Sequence, residues 1–88
     1  MTPAAAIAEY ARRIRELVPE MPEPEAIALL DATQTEAMDV LASYGNSIQA
    51  HSKDAWHAFL SFMGDIAPLL PVIGQGIGIT QAIVNLTK

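Results

Sequence analysis

DIAPLLPVIGQGIGITQAIVNLTK, residues 65–88, decides the fold, because its 22 positions between Asp65 and Lys88 carry no charge. A run of that length can span a bilayer, form the core helix of a small bundle, or present a surface that another chain covers. Composition argues against the first. Twelve of the 22 are Ala, Val, Ile or Leu, and the other ten are Gly, Pro, Gln, Thr or Asn, a poor span by insertion criteria. Pro68 and Pro71 shorten the continuous helix to residues 72–86. Such a helix is about 22 Å long, against about 30 Å of hydrocarbon. Extending it back to Phe59 would bury Asp65.

On a helical wheel, Val72, Ile79, Ile83 and Leu86 cluster, with Ile73, Ile77 and Val84 further round. Gly74, Gln75, Gly78, Gln81, Asn85 and Lys88 occupy the other arc. The helix is thus amphipathic with a neutral polar strip, which suits contact with another helix better than contact with lipid. Within GQGIG (residues 74–78) the glycines alternate, no strand precedes them, and the spacing is not that of a dinucleotide loop. Gly74 with Gly78, and Gly76 with Thr80, are small pairs four apart that let backbones approach closely. Each glycine costs about 1 kcal/mol of helix propensity, so tight packing or a need for mobility must offset it.

Upstream the pattern is helical throughout, and no strand signal competes. Thr2 caps and Pro3 opens a helix over residues 3–18, with Ile7, Tyr10, Ala11, Ile14, Leu17 and Val18 in one stripe. Glu9 four before Arg13, and Arg12 four before Glu16, support its outer face. After the connector PEMPEP (19–24), a second helix is expected over residues 24–44, with Ile27, Leu30, Ala37, Met38, Leu41 and Tyr44 on one face. TQTE (33–36) also has the form of a capping box, but no Gly or Pro marks a break, which favours one continuous helix. Gly45 is expected as a left-handed stop. A third helix follows over residues 47–63, its second half apolar most of the way round, ending at Gly64. The expected fold is therefore one all-α domain over residues 1–88, a small bundle of three long helices and a shorter apolar C-terminal helix.

Totals narrow the function. The chain has 88 residues, no cysteine and a net charge of −5. One small domain without disulfides gains only modest stability from its own core, so further burial against a partner is expected. The acidic balance disfavours nucleic acid, which needs a Lys/Arg surplus. Residues 19–39 hold six acids and no base, whereas only Asp65 is charged between Ala55 and Thr87. The N-terminus has its basic residues after its apolar ones, unlike a secretory signal, so a cytoplasmic location is the default expectation.

Catalytic signals are weak. His51, Asp54 and His57 lie three apart, so on a helix they fan over about 120° and cannot aim at one point. A metal-binding helix prefers ligands four apart, and no serine has a matched base. Neither an enzyme nor a cofactor or metal site is expected. The expected function is a non-enzymatic assembly or adaptor subunit whose C-terminal third associates with itself or docks on a protein partner. Trp56, Phe59, Phe62, Ile73, Ile77, Ile79, Ile83 and Leu86 are the contact candidates, with Gly74, Gly76, Gly78 and Thr80 for close packing. The alternative is a membrane-active protein that inserts the third and fourth helices as a hairpin turning at residues 64–71.

Overall fold

The structure, a computed structural model, describes residues 1–70 and 76–87. Every element among them is helical. In order these are α1 (Pro3–Leu17), α2 (Glu23–Ala28), a 3-10 turn (Leu29–Asp31), α3 (Gln34–Ala42), α4 (Gly45–Gln49), α5 (Lys53–Ile66), a second 3-10 turn (Ala67–Leu69) and α6 (Ile77–Leu86).

α1 forms as its sequence dictates. The Thr2 hydroxyl accepts from the Ala5 amide at 3.1 Å, and Pro3 occupies the first helical position. Ala6, Tyr10, Ala11 and Ile14 are buried along one stripe. The helix ends at Leu17, as Val18 leaves the helical region before Pro19. The Tyr10 hydroxyl crosses to donate to the Ala26 carbonyl at 2.7 Å, fastening α1 to α2.

The expected continuous helix over residues 24–44 is broken, and the capping box explains where. Ala32 and Thr33 are extended (ψ 149° and 166°). The Thr33 hydroxyl accepts from the Glu36 amide at 3.2 Å and donates to the Glu36 carboxylate at 3.1 Å. The first of these bonds satisfies the Glu36 amide, which a continuous helix would have bonded backward.

The third expected helix also divides. α4 is a short helix that starts at Gly45, which is not left-handed: α3 ends instead in a tight turn in which the Tyr44 amide bonds the Leu41 carbonyl. α5 restarts at Ser52, whose hydroxyl accepts from the Ala55 amide at 3.2 Å. It then runs through Gly64 to Ile66 instead of stopping there. Residues 71–75 lie outside the described residues, and the expected start of the last helix at Pro71 or Val72 falls among them. α6 itself begins at Ile77, because Gly76 sits at φ 85° and interrupts any helix through it. Instead of three long helices and one short one, the described residues form six α-helices, several of them only one to three turns long.

α6 closes the fold by lying across the break between α2 and α3. The Gly76 amide donates to the Leu30 carbonyl at 2.5 Å. Two residues on, a Cβ at Gly78 would run into the Ala32 carbonyl oxygen and stand 2.7 Å from the Thr33 carbonyl carbon. Ile79, Ala82 and Ile83 then enter a single core with Tyr10, Ile14, Leu30, Leu41, Trp56, Phe59, Met63 and Ile66. Phe59 is its aromatic hub, 5.9 Å from the Tyr10 ring and 6.1 Å edge-on from Trp56.

Two glycine substitutions separate backbone contact from helix propensity. Gly78→Ala is expected to cost about 3 kcal/mol in chemical denaturation, since fixed backbone has to move. Gly64→Ala, where an added methyl meets nothing within 4 Å, is expected to gain about 0.5–1 kcal/mol. Equal effects at the two sites would contradict the close approach of α6 to residues 32–33.

Candidate interaction surface

Charge is sorted by face. On α1, Glu9 accepts from Arg12 and from Arg13 (2.9 Å to Arg13 Nε), and Arg12 also bonds Glu16. Arg13 in turn lies 4.3 Å above the Phe62 ring. Hydroxyls hold the acids of the connector and of α2: Ser47 donates to Glu20 at 2.5 Å and Tyr44 to Glu25 at 2.8 Å. Arg15 reaches it more loosely, donating to the Met21 carbonyl at 3.1 Å and standing 3.9 Å from Glu23. Glu20, Tyr44 and Ser47 line an open hollow of about 480 Å³ below the end of α3.

Between the second half of α5 and the start of α6 the surface has a different character. Leu60, Met63, Gly64, Ala67, Leu70, Gly76, Ile77, Thr80 and Gln81 line a groove of about 290 Å³ with no charged side chain among them. Met63 and Gly76 form its buried floor, while Gly64, Ala67, Ile77 and Gln81 are exposed. Thr80 adds little polarity, because its hydroxyl donates to the Gly76 carbonyl at 2.7 Å. Thr87 turns its hydroxyl onto the Ile83 carbonyl in the same way.

The structure divides the contact candidates into interior and surface. Trp56, Phe59, Ile79 and Ile83 are buried in the chain's own core and offer no free surface. Ile79 and Ile83 are carried there by the packing of α6 on α3, and Trp56 and Phe59 by the packing of α5 on α1 and α6. Phe62 is half-buried beneath Arg13. Ile77, at 52% exposure, and Leu86, at 41%, remain outside. Gly76 and Gly78 pack against residues 30–33, with Thr80 bracing Gly76. Ile73 and Gly74 lie outside the described residues. Leu60, Gly64, Ala67 and Leu70 are not among the expected contact residues, and Gln81 enters from the expected neutral strip. Their signal was the small pair Gly64 and Ala67 three apart, obscured by reading Gly64 as a helix stop.

The reactive cluster stays dispersed. His51 is half-buried, Asp54 and His57 are exposed, and among the described residues no group of three or more His, Asp or Glu stands close enough to hold a metal. Trp56 Nε1 is buried without a hydrogen-bond partner among the described residues. It adjoins a small apolar crevice lined by Ile48, Ile83, Leu86 and Thr87. Among the described residues no helix is long and apolar enough to cross a membrane. α5 has 14 residues and α6 has ten, against about 20 for a span. No family model, curated protein or solved structure matches the chain.

The ion pairs set an acid response. Hydrogen bonding from Arg12, and then from Arg13, draws the Glu9 carboxyl from an ordinary 4.5 down to about 2. Ser47 lowers Glu20 in the same direction. A carboxyl depressed in the folded state stabilises it above its unfolded value, and that contribution is lost as pH falls through the folded one. The melting temperature is therefore expected to fall between pH 4.5 and about 2. Glu9→Gln should make the decline shallower, and added salt should reduce the difference between the two proteins. A curve unchanged by Glu9→Gln would assign the acid sensitivity elsewhere.

Proposed function

We propose that this chain is a non-enzymatic helical assembly or adaptor subunit that docks through the groove between α5 and α6. One observation carries the reading: an uncharged, largely apolar groove with a half-exposed Ile77 on its wall, on a chain whose N-terminal half is strongly charged. An exposed Ile77 beside the partly buried Leu60 and Leu70 of a concavity favours contact with protein, because covering them removes apolar area from water at about 25 cal/mol per Å². The small exposed residues Gly64 and Ala67 leave room for an incoming side chain. Gln81 provides one amide at the rim for orientation, in keeping with an apolar centre and polar edge.

Ile77→Asp tests the reading with little risk to the fold, since Ile77 is more than half exposed. The unmodified chain is expected to elute with a companion of defined stoichiometry, either another copy or a different protein. The variant is expected to lose it at unchanged helical circular dichroism. A companion retained equally by both proteins, or a lone chain in every preparation, would overturn the proposal.

A further inference from the structure

The position of α3 depends on one neighbour. Among the described residues α2 packs on α1, whereas α3 packs chiefly on α6, with a lesser contact to the short α4 that follows it. The 3-10 turn between α2 and α3 rests on α6 too. Local sequence does not demand a break there. Residues 25–44 contain no Gly or Pro, and Ile27, Leu30, Ala37, Leu41 and Tyr44 fall on one face of a single helix. The capping box at Thr33 favours the break, and the uninterrupted apolar stripe opposes it.

The two arrangements compete for the same carbonyls. In one continuous helix the Leu30 carbonyl would accept from the Gln34 amide, and the Ala32 carbonyl from the Glu36 amide. Here the Gly76 amide donates to the Leu30 carbonyl at 2.5 Å. Gly78 presses on the Ala32 carbonyl so closely that a Cβ there would overlap its oxygen. The Glu36 amide is turned instead to the Thr33 hydroxyl at 3.2 Å. Docked α6 therefore occupies the acceptors that a straight helix requires. Its departure frees both carbonyls and takes from α3 the surface that sets its angle.

We infer that residues 24–42 are a two-state element, broken at Ala32 and Thr33 while α6 is docked and one continuous helix once α6 is released. This device is independent of what the α5–α6 groove binds. It bears on the groove all the same, because Gly76, Ile77, Thr80 and Gln81 form one of its walls, so the groove exists only in the broken state. By linkage, whatever fills the groove favours the break, and whatever straightens residues 24–42 opposes filling.

Carbon NMR of the full chain tests the coupling, since Cα shifts at Ala32 and Thr33 distinguish extended from helical backbone. The unmodified chain is expected to show extended shifts at both. Gly78→Leu, which bars the close approach, is expected to give helical shifts at both and to lose exchange protection at the Gly76 amide. Extended shifts kept at both overturn the inference: with that amide unprotected, the capping box alone makes the break, and with it protected, α6 never needed the close approach. Helical shifts with the amide still protected overturn it as well, because docking and a straight helix then coexist. If Gly78→Leu does not fold, Gly78→Ala decides, by saturation transfer to the minor state of the folded chain. A minor state helical at Ala32 and Thr33 supports the inference, its population rising about fivefold when Thr33→Ala also removes the cap. A minor state with extended or coil shifts there, or no minor state at all, overturns it.

Discussion

Gly78 brings the backbone of α6 into direct contact with the backbone at Ala32 and Thr33, and the rest of the fold is arranged around that approach. Two helical cylinders normally pack 8–10 Å apart, separated by side chains. Here the second cylinder is interrupted, and α6 meets bare peptide groups where the first ends and the next begins. The Leu30 carbonyl at the end of the 3-10 turn is free to accept a bond, and the left-handed Gly76 aims its amide at it. Break and glycines are thus two halves of one contact.

That contact determines which apolar residues share a core. With α6 held against α3, Ile79 and Ile83 reach the same interior as Leu41 and Leu30. The aromatic stripe of α5 closes it from the other side. The arrangement suits a chain too small for a deep core: α1 and α5 contribute four buried residues each, α3 two and α2 one, so the interior is assembled from several short elements. It also uses up most of the apolar surface of the C-terminal third. The remaining exposed apolar residues of that region are few and sit around one groove and the end of α6.

Electrostatics reinforces the division. Arg12 and Arg13 pair within α1, Arg15 reaches Glu23, and the hydroxyls of Ser47 and Tyr44 hold Glu20 and Glu25. Exposed pairs of this kind contribute little stability each, but they keep charge on the N-terminal half. The α5–α6 face is left neutral. Its threonines return their hydroxyls to the helix backbone, while Gln81 and Asn85 of the polar strip stay exposed.

Helical periodicity, proline positions and the Thr2 cap settled the all-helical class and the extent of α1 from sequence alone, whereas the Ser52 cap of α5 lay hidden inside an expected longer helix. They also identified Gly76 and Gly78 as places for close backbone approach, without naming the neighbour. The break at Thr33 was written in the capping box, yet local sequence left it balanced against an uninterrupted apolar stripe. Only the docking of α6, some forty residues further along, uses the backbone that the break exposes. The same limit applied to the surface. Trp56, Phe59, Ile79 and Ile83 have the character of contact residues and lie inside. Leu60, Gly64 and Ala67 have no special character and line the groove. Hydrophobicity and spacing are properties of a segment and are legible in it. Whether a segment's apolar face meets its own chain or remains outside depends on where distant segments pack, and tertiary structure alone decides that.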